Sequence, residues 1–304
     1  TTNIGAVRNT GIELGLNLGV IRNKNFTWDV NLAFARNWSK ITELPNGDDV
    51  SNNWFIGERL NVLRDYTSAG IITTDGITMR TKDGDRHYTL QEVYDTFGPG
   101  GQGLKWYEGQ MAVNDWNNDG KINDEDKQIF GCTDPKWTGS LSSTMTYKGF
   151  DFSFMLYTKQ GQWSRSYFHE QYMNYGDRGR QKVNFDYYIP AGTPVLDKNT
   201  GDVTYLSEAH IGKYPYPNNT EKTGGGYFSS SSAAVRYHKT SFVKVKNITL
   251  GYTFPKAWLS KIAVKHLRLY VNVINPFCFT DYEGFDPEWA SANLTNGDKY
   301  LQLS

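Results

Sequence analysis

The sequence predicts an all-β fold, part of an antiparallel transmembrane β-barrel with long extracellular loops. Three observations predict it. Long segments alternate apolar and polar residues at period two. Their apolar faces run aromatic, aliphatic, then aromatic. Connections alternate between very short and very long. Period-two alternation sends one face of a strand to hydrocarbon and the other to water. A tilted spanning strand needs about 9–11 residues, and its apolar band, about 25 Å tall, lies between aromatic girdles.

The first predicted strand covers 6–23, where Ile12, Leu14, Leu16, Leu18 and Val20 alternate with Glu13, Gly15, Asn17 and Gly19. The turn "NKN" at 23–25 leads into a second over 26–40. Trp28, Val30, Leu32 and Phe34 take one face and Asp29, Asn31, Ala33 and Ala35 the other. Trp38 returns to the apolar face ten residues after Trp28. Both are far longer than the usual five or six residues. Short strands are expected near 54–64 and 67–75.

In "WTGSLSSTMTYK" at 137–148, Trp137, Leu141, Met145 and Tyr147 alternate with Ser and Thr. A tight "KGFD" turn then gives Phe150, Phe152, Phe154 and Leu156. Residues 240–254 place Ile248, Leu250, Tyr252 and Phe254 on one face. Residues 264–276 place Leu267, Leu269, Val271 and Val273 likewise. This makes about eight strands. No amphipathic helix is expected beyond a turn at 256–261. Connections 75–136 and 161–238 are too long for a compact soluble domain, and "TGGGYFSSSS" at 223–232 reads as a flexible tract.

Composition removes several function classes. Lys plus Arg and Asp plus Glu both number 32, a balance unlike that of a basic nucleic-acid binder. Mean hydropathy is −0.60, and no run of 18 apolar residues forms a spanning helix. Cys132 and Cys278 are expected to be free thiols. The opening "TTNIGAVRNTG" has no apolar core of a signal peptide, so the chain is expected to begin in mid-protein. His87, His169, His210, His238 and His266 show no zinc spacing, and carboxylate pairs such as Glu283 and Asp286 would have to face each other to hydrolyse a glycoside. No enzyme is expected.

One stretch has metal-binding spacing. In "NDWNNDGKINDED" at 114–126, Asp115, Asn117 and Asp119 stand at positions 1, 3 and 5 of a calcium loop. Gly120 falls at 6, Lys121 at 7, Asn123 at 9 and Asp126 at 12. Lys121 would offer its main-chain carbonyl. No flanking helix pair is expected, so the Ca²⁺ would be structural and would pin a long loop. Trp163, Tyr167, Tyr172 and Tyr175 are candidate substrate contacts, with Tyr214 and Tyr216 beside them. Aromatic faces stack on sugars and peptides, but such residues also simply pack loops.

Four stretches carry a resemblance: "NTGIEL" at 9–14, the calcium-type loop running on to "YKGFDFSFML", "SFVKVKNITLGYTFPKAWL" at 241–259, and "LRLYVNVINPFCFTDYEGFDPE" at 267–288. Together and in this order they resemble the SusC/RagA-like TonB-dependent outer-membrane transporters of Bacteroidota. The resemblance implies the C-terminal part of a 22-stranded barrel, with the plug, the first half of the barrel and the last strand absent. It implies a Gram-negative outer-membrane location and lipid around the wall. It also implies a SusD-like surface lipoprotein partner, TonB acting through the absent N-terminal region, and a glycan or peptide ligand. The alternative is a soluble extracellular β-rich carbohydrate-binding module with a structural calcium loop.

Overall fold

The computed structural model describes residues 5–98, 103–172, 186–197, 199–216 and 233–291. In chain order the elements begin with β1 (Ala6–Arg22), β2 (Phe26–Glu43), β3 (Val62–Asp65), β4 (Ser68–Ile71), β5 (Ile77–Thr81) and β6 (Gly84–Tyr88). Helix α1 (Leu90–Phe97), β7 (Met111–Val113), β8 (Gln128–Cys132), β9 (Trp137–Tyr147) and β10 (Phe150–Gln160) follow. Then come β11 (Trp163–Arg165), α2 (Tyr167–Tyr172), β12 (Pro194–Leu196), β13 (Val203–Tyr205), α3 (Ala233–Arg236), β14 (Tyr237–Lys239), β15 (Phe242–Thr253), α4 (Lys256–Leu259) and β16 (Arg268–Phe279). They divide between two compact units. The first comprises Thr1–Val62, Gly131–Ser164 and Lys239–Ser304, the second Leu63–Phe130 and Arg165–His238.

The first unit is an antiparallel six-stranded sheet in the order β1-β2-β9-β10-β15-β16. Its register lines up the predicted faces. Leu18, Val30, Ser143, Phe154, Ile248 and Val273 are successive cross-strand partners, and Leu16, Leu32, Leu141 and Leu156 form a parallel row. Toward the short turns, Phe26, Tyr147, Phe150 and Tyr252 make an aromatic row across four strands. Phe150 and Tyr252 have ring centroids 4.5 Å apart. At the far end of the sheet Phe34 lies 5.8 Å from Trp137. The ten residues from Trp28 to Trp38 rise about 33 Å along the strand, or about 25 Å along the normal at barrel tilt. The other face is polar, with Asp29, Thr144, Ser153, Thr249 and Asn272 in one row.

Three short connections lie at one end of this sheet. In the hairpin between β9 and β10 both central residues have positive φ, 46° at Lys148 and 93° at Gly149. That is the primed turn whose twist matches two paired strands. A Cβ on Gly149 would also sit 2.8 Å from the Thr253 carbonyl oxygen. Gly149→Ala is expected to cost about 1–2 kcal/mol from the backbone alone, read as a lowered urea midpoint of the intact protein. An unchanged midpoint would contradict this account of the turn. The link from β15 to β16 uses Pro255 to start α4, which buries Leu259.

Two expectations need correction. The strands expected at 54–64 and 67–75 contract to four residues each, β3 and β4. Ahead of them Asp48 and Asp49 accept the N–H groups of Ile56 and Asn52, at 2.7 Å and 3.1 Å. Such side-chain bonds offer the backbone an alternative to a strand ladder. The sheet therefore holds six long strands among the described residues, fewer than expected. Within the described parts of 75–136 and 161–238, hydrophobic cores form. Ile72, Ile77, Met79, Tyr88, Val93 and Tyr107 form one core of the second unit, and Ile71, Met111, Tyr187, Tyr188, Tyr214 and Val235 another. Helix α1 went unpredicted, although Thr89 and Glu92 form a reciprocal capping box. The tract 223–232 lies outside the described residues.

Candidate functional site

The calcium-type loop leaves β7 and is anchored by a buried amide. Asn114 accepts the Arg80 N–H at 2.8 Å and donates to Thr67 Oγ1 at 2.9 Å. The loop then closes on its own carboxylates. Asp115 accepts the N–H groups of Asp119 at 3.2 Å and Gly120 at 2.9 Å. Asp126 accepts those of Asn117 at 3.3 Å and Asn123 at 2.9 Å. The Asn117 and Asp119 side chains take the N–H groups of Asp119 and Lys121, and that of Asn123 takes Glu125. Asn118 and Gly120 turn the chain at φ 61° and 76°.

Asp115 and Asp126 are both fully buried, and neither has an ion-pair partner among the described residues. Burial pushes the Asp126 carboxyl above its ordinary range, and the Asp115 charge adds to this. The N–H groups of Asn123 and Asn117 pull the other way. Buried carboxylates without a cation are costly. Among the described residues no group of three His, Cys, Asp or Glu side chains is gathered for a metal. The loop offers instead two carboxylates beside amide and main-chain oxygens, and hard Ca²⁺ accepts all of these donors. The residues fit the ion.

A second polar cluster was not legible in the sequence. His169 is buried. Its Nδ1 lies 2.6 Å from Ser166 Oγ, its Nε2 lies 3.2 Å from Tyr214 Oη, and its ring stacks on His238 at 3.7 Å. Burial lowers its pKa to about 3, with the charges of His238 and Lys213 acting in the same direction. A depressed histidine pKa means that the native state resists a proton the unfolded state accepts. Its stability contribution is complete above about pH 6.5 and falls as pH drops toward 3, by up to about 1.4 kcal/mol per unit. Acidification from pH 7 to 5 is expected to lower the unfolding free energy, and His169→Gln to flatten that slope. Equal slopes in variant and parent would refute the assignment.

The aromatic candidates fare differently. Trp163 packs over Gly131, where a Cβ would meet its ring at 2.7 Å, and Lys239 Nζ lies 5.6 Å from its centroid. Tyr167 is half-buried beneath Arg165. Tyr172 closes α2, and Tyr175 lies outside the described residues. Tyr214 is buried, and Tyr216 packs on the same core. The structure thus places Trp163, Tyr167, Tyr214 and Tyr216 each in packing contacts. Asp286 caps the turn Pro287–Trp289 and binds Lys244. Cys132 and Cys278 are free.

No family model matches the chain. Among curated proteins it is 25% identical, over 97% of its length, to TonB-dependent receptor P3 of Formosa agariphila. It is 29% identical, over 95% of its length, to TonB-dependent receptor SusC of Bacteroides thetaiotaomicron. It spans about a quarter of these relatives, 26% and 25%. Among solved structures it resembles the RagAB peptide transporter with a TM-score of 0.58 and 18% identity, covering 94% of this chain and 27% of that one. The open-open state of the RagAB peptide importer gives 0.54 and 20%, over 93% and 26%.

Proposed function

From its similarity to TonB-dependent receptor SusC and to the RagAB structure, we propose that the chain is a segment of a SusC/RagA-like TonB-dependent receptor and builds part of an outer-membrane barrel that imports oligosaccharides or oligopeptides in a Gram-negative cell. The observation that carries this reading is the apolar band six strands wide with its aromatic rim. Leu14, Leu16, Leu250, Leu269 and Val271 are each more than half exposed, an apolar surface that a soluble monomer rarely tolerates. The alternative of a soluble carbohydrate-binding module leaves this band without a solvent. The outer edges of β1 and β16 are unpaired among the described residues. Open edges are not viable in lipid, so strands elsewhere in the intact protein pair with them. The mechanism is gated passage without bond chemistry. TonB supplies the energy, and a SusD-like lipoprotein is the surface partner.

Two measurements test this reading together. The intact protein should require detergent to remain monodisperse, and uptake of its nutrient should stop in cells lacking TonB. A detergent-free monodisperse protein would overturn it.

The same reading assigns Ca²⁺ to the loop 115–126, held by the side chains of Asp115, Asn117, Asp119, Asn123 and Asp126 and the Lys121 carbonyl. The ion closes the loop and relieves two buried charges. A ligand at a hundredfold excess over its Kd stabilises the native state by about 2.7 kcal/mol. Chelation should therefore lower the melting temperature, and Asp126→Ala should abolish that response. Identical melting with chelator and with millimolar Ca²⁺ would exclude the ion.

A further inference from the structure

The two ends of the calcium-type loop, at 114–116 and 128–130, form part of the wall of a cleft of about 460 Å³ within the second unit. The same cleft is lined by Arg80 and Asp85, direct cross-strand partners on β5 and β6. Along β5, Ile77, Met79 and Thr81 enter the core, which turns Thr78 and Arg80 outward. The Arg80 guanidinium and the Asp85 carboxylate make no side-chain hydrogen bond or ion pair among the described residues. The half-buried Trp116 indole has no ring partner there either, whereas Phe130 meets Tyr237 edge-on at 5.2 Å. Asn114 is committed to holding the backbone.

We propose that this cleft binds a neutral saccharide unit. A planar donor fork, a carboxylate acceptor and an aromatic face converge on one space. Sugar hydroxyls both donate and accept, and the C–H face of a pyranose stacks on an indole. The two charges are cross-strand neighbours about 5 Å apart at their Cβ atoms, so their fields largely cancel and favour a ligand without net charge. That spacing is too close to grip the two charged ends of a peptide, but it suits neighbouring hydroxyls. The loop sets the position of Trp116, whose carbonyl accepts the Lys82 N–H at 2.8 Å. That a nutrient is the ligand rests on the import reading; the nutrient's chemistry rests on the cleft.

The test is calorimetric titration of the full-length, detergent-solubilised protein. The probes are neutral hexasaccharides of α-glucan, β-glucan, mannan, xylan and galactan type, and a tetrapeptide mixture, at low and high salt. At least one saccharide should bind with little salt dependence. Trp116→Ala and Arg80→Ala should each weaken it tenfold or more, with Trp116→Phe largely restoring it and Asp85→Asn weakening it. Unchanged melting curves would show that the variants fold. Should Trp116→Ala disturb the loop, Arg80→Ala and Asp85→Asn decide the matter. Binding of peptides alone, binding of no saccharide, or wild-type affinity in the folded variants would overturn the proposal. Saccharide binding with TonB-independent uptake would sink the import reading and leave the cleft intact. TonB-dependent uptake without saccharide binding at the cleft would do the reverse.

Discussion

Replacing Leu16 by arginine is expected to destabilise the membrane-embedded protein by about 2–4 kcal/mol, and Leu32→Arg should do the same. The two leucines are direct cross-strand partners in the middle of the apolar band, in a row that continues to Leu141 and Leu156. At that depth a guanidinium cannot readily reach water. The control is one residue away. Asn17 and Asn31 are also partners, but alternation puts them on the polar face, where an arginine should cost far less. Urea unfolding of the full-length protein in lipid vesicles would measure both. Equal, small effects on the two faces would mean that neither face meets hydrocarbon.

The second large effect is expected at Lys244. This side chain is only 3% exposed. Its Nζ donates to both Asp286 oxygens, at 2.8 and 2.6 Å, and to Glu288. Glu288 also accepts from Lys246 Nζ at 2.8 Å. The cluster fastens the turn after β16 onto β15. Lys244→Met would strand carboxylates that have little water to fall back on, a change that costs about 3–5 kcal/mol when an ion pair is buried. The value should fall at the lower end, because Asp286 is 39% exposed and Glu288 keeps Lys246. Lys246→Met should cost under about 1 kcal/mol, as expected for a pair with a partly exposed member. Combining Lys244→Met with Asp286→Asn and Glu288→Gln should recover much of the loss, because no charge is then left unpaired. A single variant as stable as the parent would show that the clamp is dispensable.

The long strands were legible because one face of each meets a single environment along its whole length. Leu14, Leu16 and Leu18 need no tertiary partner to be read as a lipid face. The second unit was harder to read. Its elements are short, and its tyrosines have two possible roles that composition cannot separate. Tyr187, Tyr188 and Tyr214 are core residues, although a Tyr-rich connection resembles a ligand surface. Helix α1 did carry a readable signal, Thr89 followed by Glu92. The clamp did not. "VKVKN" and "GFDPE" stand about forty residues apart in the chain, and only the register of β15 with β16 brings them together. In the loop 115–126 the sequence showed donor types and spacing. The burial of Asp115 and Asp126, on which the proposal of a bound cation rests, became visible only in three dimensions.

Lipid accessibility along the strands tests the central claim most directly. With Cys132 and Cys278 replaced by serine, single cysteines at Leu16, Leu32 and Leu250, and at Asn17, Asn31 and Thr249, would carry a nitroxide in the full-length protein reconstituted in vesicles. The first set should relax with membrane-dissolved oxygen and the second with a water-soluble nickel chelate, alternating residue by residue. Equal exposure of both sets to the chelate would contradict a membrane-spanning wall.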